Sequence, residues 1–179
     1  MTEKMAKITE TIPETATGPN IEAYFKEQVR QPGLFFCIHN AEQWPLAEKF
    51  IRKGLSDFPQ LKALIYITQG KMEPKPAAAH FYIADKTDFN LFGKEKPALK
   101  RWIAQHPFDL LLVFSKKENK RCRKLGISLK ARLKAGMAGK DEKPWTDLNL
   151  GIPEGEWDYD GFYKAVKTYF KQLNIKLSS

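Results

Sequence analysis

Two groups of residues in this chain have types and spacings that could do chemistry. The first is a run of cations. Lys117, Lys120, Arg121, Arg123, Lys124, Lys130, Arg132 and Lys134 fall close together, and from Lys116 to Lys143 eleven basic residues stand against three acidic ones. That stretch carries +8 of the chain's formal net charge of +9, so the rest of the protein is nearly neutral. Positive charge concentrated in this way raises the local potential and can neutralise phosphates, with counterion release making binding steeply dependent on salt. The same residues would serve equally as a solvated helix face followed by a sheet edge guarded by Lys and Arg. No Phe, Trp or Tyr occurs between Ser115 and Lys143. The stretch therefore offers no base stacking of its own, and it suits backbone or shape recognition, as on structured RNA or a ribonucleoprotein.

The second group follows short apolar runs: His39 and Asn40 after the first, Thr68 after the next, Asp85 after a third, Ser115 and Lys116 after a fourth. Polar groups at the carboxyl ends of neighbouring strands are where open α/β sheets keep their sites. His39 would be the natural general base, its unperturbed pKa lying near 6.5. Asn40, Asp85 and Ser115 complete a candidate crevice, although every α/β domain ends its strands in polar residues. His80 and His106 read as ordinary loop or helix-end residues.

The specific cofactor signatures are missing. After the first apolar run the chain continues His-Asn-Ala-Glu-Gln-Trp-Pro, with no glycine where G-x-G-x-x-G would bring a pyrophosphate to the backbone. Gly70-Lys71 is followed by Met72 and lacks the earlier glycine of a phosphate-binding P-loop, and no H-E-x-x-H, EF-hand or G-x-S-x-G pattern occurs. The expectation is no cofactor and no metal. Trp44, Trp102, Trp145 and Trp157 read as core or helix-docking residues.

The elements that must position these groups follow from periodicity. Leu34–Ile38 is apolar on consecutive positions, as a strand covered on both faces is, and Leu61–Ile67, Phe81–Ile83 and Phe108–Phe114 are further short, largely apolar runs that read as strands. A short helix from Asn20 to Arg30, stopped by Pro32 and Gly33, precedes them, and between them run helix-period stripes: Leu46, Ala47, Phe50, Ile51 and Leu55, then Leu99, Trp102 and Ile103 behind Pro97. A helix from about Glu118 to Leu129 puts Cys122, Leu125 and Leu129 on one stripe. From Lys130 the period becomes two, which predicts a half-exposed strand with Lys130, Arg132 and Lys134 on its open face. Asp147–Ile152 is a further short strand. Phe162, Ala165, Val166, Tyr169, Phe170 and Leu173 mark a last helix, with Asp160 able to cap its start. Strands alternating with helices predict a single Rossmann-like, three-layer α/β domain over 19–179, with a mostly parallel sheet of about five or six strands and helices on both faces.

Composition agrees with one such domain. At 179 residues, 42% hydrophobic and 28% charged, the chain is long enough for one core and has the balance of a globular protein. Residues 1–18 are polar and Thr-rich without periodicity and read as a flexible tail. They have no apolar segment of the secretory kind, and no apolar run approaches the roughly 20 residues of a membrane span. A cytoplasmic location without membrane contact is expected. Cys37 and Cys122 lie far apart with neither redox-pair nor metal spacing, and both are expected to be reduced.

Phe108-Asp109-Leu110-Leu111-Leu112, then Lys130-Ala131-Arg132-Leu133-Lys134-Ala135-Gly136-Met137, then the helix from Phe162 to Leu173 followed by Asn174, occur in an order that resembles an uncharacterised family of small basic bacterial proteins. That family has an F-D-L-L-I strand, a K-A-K-F-K-V-G-F-like strand and a closing helix ending in L-N, and the likeness covers about residues 34–175. The resemblance implies an α/β fold and a cytoplasmic location, and no activity. After Leu112 the family pattern has an acidic residue where this chain has Val113-Phe114.

The first functional expectation is therefore a non-enzymatic domain docking on an anionic partner through the basic stretch. The alternatives are an enzyme or small-ligand binder at the His39, Asn40, Asp85, Ser115 crevice, and a protein-assembly module.

Overall fold

The computed structural model describes residues 19–115, 119–137, 145–150, 159–173 and 175–177. The expected tail, Lys116, Lys117 and Trp157 fall outside these residues. Among the described residues there are six strands: β1 Pro32–Ile38, β2 Lys62–Ile67, β3 Phe81–Ala84, β4 Phe108–Ser115, β5 Ala131–Met137 and β6 Leu148–Leu150. They form one sheet in the order β3-β2-β1-β4-β5-β6, and every neighbouring pair is parallel. Five helices connect or flank them: α1 Pro19–Gln28, α2 Trp44–Asp57, α3 Pro97–Gln105, α4 Lys120–Ser128 and α5 Tyr159–Gln172. This is the expected Rossmann-like α/β domain, doubly wound about β1 and β4.

Successive residues of β1 serve two different cores. Leu34, Phe36 and Ile38 join Phe25 of α1, Phe50 and Ile51 of α2 and Phe162, Val166 and Phe170 of α5. Phe35 and Cys37 join Leu99 of α3 and Cys122 and Leu125 of α4. All seven residues of β1 are buried, which is why its sequence shows no alternation. Each helix is placed by its apolar stripe. In α2, Ala47, Phe50, Ile51 and Gly54 are buried and Pro45 sits in the first turn, while Phe58 takes an extended conformation ahead of Pro59 and ends the helix. The C-terminal segment folds back on α1: the Tyr24 hydroxyl donates to the Ile175 carbonyl at 2.8 Å, and the Leu177 N–H donates to Gln28 Oε1 at 2.9 Å.

Three expectations are corrected. The strand after Lys130 is not a guarded sheet edge, because β5 lies between β4 and β6. Cys37 and Cys122 are joined in a disulfide, not reduced, since β1 and the first turn of α4 bring their Cα atoms to 6.4 Å. Leu173 lies just past α5 and is 50% exposed, so the apolar stripe ends at Phe170.

Candidate functional site

α4 starts at Asn119, whose side chain accepts the Cys122 N–H at 2.7 Å. Cys122, Leu125 and Gly126 face the core, which turns Lys120 and Lys124 to solvent one helical turn apart and leaves Arg123 half-buried. Gly126 is required by packing: a Cβ there would overlap the Trp145 ring, which seals this end of the helix. Arg121 leans away from the exposed stripe, its guanidinium 4.8 Å from the centre of the Phe89 ring.

The chain leaves α4 at the amino edge of the sheet, where Lys130 and Arg132 are exposed. Here an open cavity of about 740 Å³ lies between the starts of β1, β4 and β5, lined by Arg30, Lys130 and Arg132 together with Phe108 and Asp109. Asp109 organises this corner. Its Oδ2 accepts the backbone N–H groups of Arg30 at 3.0 Å and Gln31 at 2.9 Å, and its Oδ1 lies 3.7 Å from Arg132 Nε. Sequence reading did not single out Arg30 or Asp109, because an acid inside the run FDLLL gives no sign that it reaches the turn before β1.

Lys134 is the exception among the expected cations. Its Nζ donates to the carbonyls of Gly126 and Ile127 at 3.0 and 3.1 Å, and it lies 5.8 Å from the centre of the Trp145 ring. These are the unpaired carbonyls at the C-terminal end of α4, so Lys134 completes a helix end and is not turned toward a phosphate. Burial lowers its pKa from the ordinary lysine value, and the charge of Asp147 offsets part of that effect.

At the opposite edge of the sheet, the crossovers from β1 and β4 leave in opposite directions, and this is the switch point where such folds bind ligands. Cys37 pairs in register with Ser115, so His39 and Asn40, which follow β1, leave the sheet at the edge where Ser115 ends β4. His39 is exposed, and its loop is fixed by its N–H to Gln43 Oε1 at 2.6 Å and its carbonyl to the Gln69 N–H at 2.8 Å. Asn40 Nδ2 donates to Glu42, while its Oδ1 is buried without a donor. The Ser115 hydroxyl lies 3.9 Å from Cys122 Sγ. Thr68 is tied to the His39 carbonyl at 3.2 Å.

Asp85 does not join them. β2 separates its strand from β1, and the side chain is fully buried. It accepts from the Thr87 N–H at 2.8 Å, the Thr87 hydroxyl at 2.6 Å and the Met72 N–H at 3.3 Å, with Lys75 Nζ at 3.1 Å. Burial alone would raise its pKa, but the hydrogen bonds from Thr87 and the charge of Lys75 outweigh that and hold it below the ordinary value. With Asp88, which accepts the Asp85 N–H, it forms a reciprocal cap on the short 3-10 turn Lys86–Asp88. Its chemistry is that of a fold-building carboxylate.

That turn leads into a tight loop at the same edge, and the sequence reading passed over it. Leu91 and Phe92 at its tip are 102% and 87% exposed. The earlier signal was present in Asn90 and Gly93, a turn-forming pair that brackets them. Among the described residues no group of three or more His, Cys, Asp or Glu side chains could hold a metal ion, and no helix is long and apolar enough to cross a membrane.

Compared with known proteins, residues 14–173 match the model of a family of unknown function (DUF6913). No curated protein matches. Among solved structures the chain is similar to the crystal structure of the glycosyl transferase family 9 from Veillonella parvula DSM 2008, with 16% identity and a TM-score of 0.50 over 86% of this chain and 44% of that one. The chain thus spans less than half of that protein, and at this identity the likeness speaks for the α/β fold alone.

Proposed function

The chain belongs to this family of unknown function, and from its own surface we propose that it docks on an extended polyanion, most simply the phosphate backbone of an RNA or ribonucleoprotein. One observation carries the reading. Lys120 and Lys124 on the exposed side of α4 lead down to Lys130 and Arg132, and Arg30 meets the last two at the amino-edge cavity. The nine residues of α4 include no acid. At about 1.5 Å per residue the helix covers about 13 Å, or about four nucleotide steps of 3.4 Å. Arg121 and Arg123 flank this stripe, Lys117 belongs to the same stretch of sequence, and Lys134 is excluded because it holds the end of α4. The reading needs no cofactor.

The test is charge reversal at exposed cations, of which Arg132 also lies 3.7 Å from Asp109. Lys124→Glu, Lys130→Glu and Arg132→Glu together should leave the unfolding temperature within about 3 °C, since exposed substitutions cost little. RNA affinity measured at low salt should fall more than about tenfold. If the wild type shows no RNA affinity at low salt, or the triple variant binds as tightly as the wild type, the proposal is wrong.

A second reading rests on Asn40, whose buried Oδ1 lacks a donor at the switch point. A small ligand offering a hydroxyl or amine there would satisfy it, and sugars, which a glycosyl transferase such as the similar structure handles, carry such hydroxyls. Thermal stabilisation by nucleotide sugars that is lost in Asn40→Ala would favour this reading, and no stabilisation would remove it.

A further inference from the structure

We infer that the Leu91–Phe92 tip is a base-stacking element, so that the anionic partner engages this surface through a single-stranded segment; the inference rests on the polyanion reading above. The cationic stretch from Ser115 to Lys143 holds no aromatic residue. The fold supplies one from elsewhere in the chain. The tip reaches the N-terminal end of α4, where a Cβ at Gly93 would stand 3.7 Å from Arg121 Nη2 and where Arg121 covers the Phe89 ring.

The tip is built to hold its shape while exposing apolar surface. Asn90 Oδ1 accepts the N–H groups of both Phe92 and Lys94 at 3.0 Å. The Asn90 N–H donates to the Lys94 carbonyl and the Gly93 N–H to the Asn90 carbonyl, each at 2.9 Å. Gly93 has a φ of +71°, a conformation glycine adopts without strain, and Phe89 and Glu95 bridge across the base. A loop fixed in this way loses little freedom when a partner binds. Two adjacent large apolar side chains at such exposure mark a contact surface, and the charge around them says which kind. Lys86, Lys94 and Lys96 on the same loop and Lys120 on α4 are all exposed. An aromatic face bordered by cations is the combination that single-stranded nucleic acids meet in their binding proteins, with the bases on the ring and the phosphates on the cations.

The experiment compares a 12-nucleotide single-stranded RNA, a blunt RNA duplex and vesicles of mixed anionic and zwitterionic lipid as partners of the whole chain. Phe92→Ala should weaken single-strand binding roughly tenfold, the effect of one lost stacked base, and leave duplex binding and the salt dependence unchanged. Phe92→Trp should retain the affinity, and the added indole should be quenched on binding, whereas Phe92→Leu should behave as Phe92→Ala. If Phe92→Ala leaves single-strand affinity intact while the Lys124, Lys130 and Arg132 reversal abolishes it, the stacking inference fails and the docking reading stands. If the wild type binds neither nucleic acid, both fail. Equal loss on single strand and duplex, or Phe92-dependent binding to anionic vesicles without an effect on RNA, also overturns the inference.

Discussion

Replacing Lys134 with Met separates a cation that builds the fold from cations that face a partner. Methionine keeps the apolar stem against Trp145 and removes the two hydrogen bonds to the Gly126 and Ile127 carbonyls. Hydrogen bonds from a charged donor contribute about 1.5–3 kcal/mol, and a cation at a helix C-terminus contributes about 0.3–1 kcal/mol. Removal of the charge also relieves the desolvation that lowers the Lys134 pKa. The net expected loss is about 1–2 kcal/mol, or about 3–6 °C in unfolding temperature for a chain of this size. Because the folded-state pKa lies below the unfolded one, the unfolded chain holds the proton more tightly, and the wild type gains stability as pH rises through the interval between the two. The variant lacks that rise. Calorimetry across alkaline pH reads both effects, and filter binding reads the partner. Unchanged stability with a several-fold loss of RNA affinity would refute the assignment and return Lys134 to the phosphate-facing set.

Gly126→Ala forces a methyl group into the Trp145 ring, and overpacking of this kind costs about 1–3 kcal/mol; the cost should shrink when Trp145 is Ala in the same molecule, as a double-mutant cycle by urea unfolding would show. Asp85→Ala breaks a buried pair with Lys75 and should destabilise by roughly 3–5 kcal/mol. Since the Asp85 pKa is lowered on folding, its contribution is complete above the unfolded value near 3.9 and disappears as pH falls through the folded one, so the wild type should lose an acid-sensitive increment that the variant lacks, measured as urea midpoints below about pH 4. Cys37→Ser with Cys122→Ser opens a loop of 85 residues' separation and should cost up to about 4.6 kcal/mol by loop entropy, while thiol titration of the unfolded, unreduced wild type should find no free thiol.

Strands buried on both faces and helices with one apolar stripe are local patterns, and the architecture was legible from them. What depended on distant contacts was not. Cys122 reads as one small residue in a basic helix until β4 and α4 bring it over β1. Lys134 has the spacing of Lys130 and Arg132, and only the end of α4 lying above it turns its ammonium inward. Asp85 looks like any polar strand end, yet the Thr87 two residues on and the Lys75 before it consume its oxygens. Leu91 and Phe92 read as apolar residues available to a core, because exposure is decided by the Asn90–Gly93 turn that lifts them away from it. Arg30 and Asp109 come together because α1 and β4 deliver them to one edge, which neither segment announces alone.

The central claim is that the exposed cations of α4 and the amino edge bind a polyanion, and the salt dependence of RNA affinity tests it most directly. With about five phosphates engaged, a plot of log affinity against log salt for a single-stranded RNA should fall with a slope of about −3.5 and should flatten by about 0.7 for each of Lys124, Lys130 and Arg132 replaced by Ala. A slope near zero, or one that these replacements leave unchanged, would contradict it.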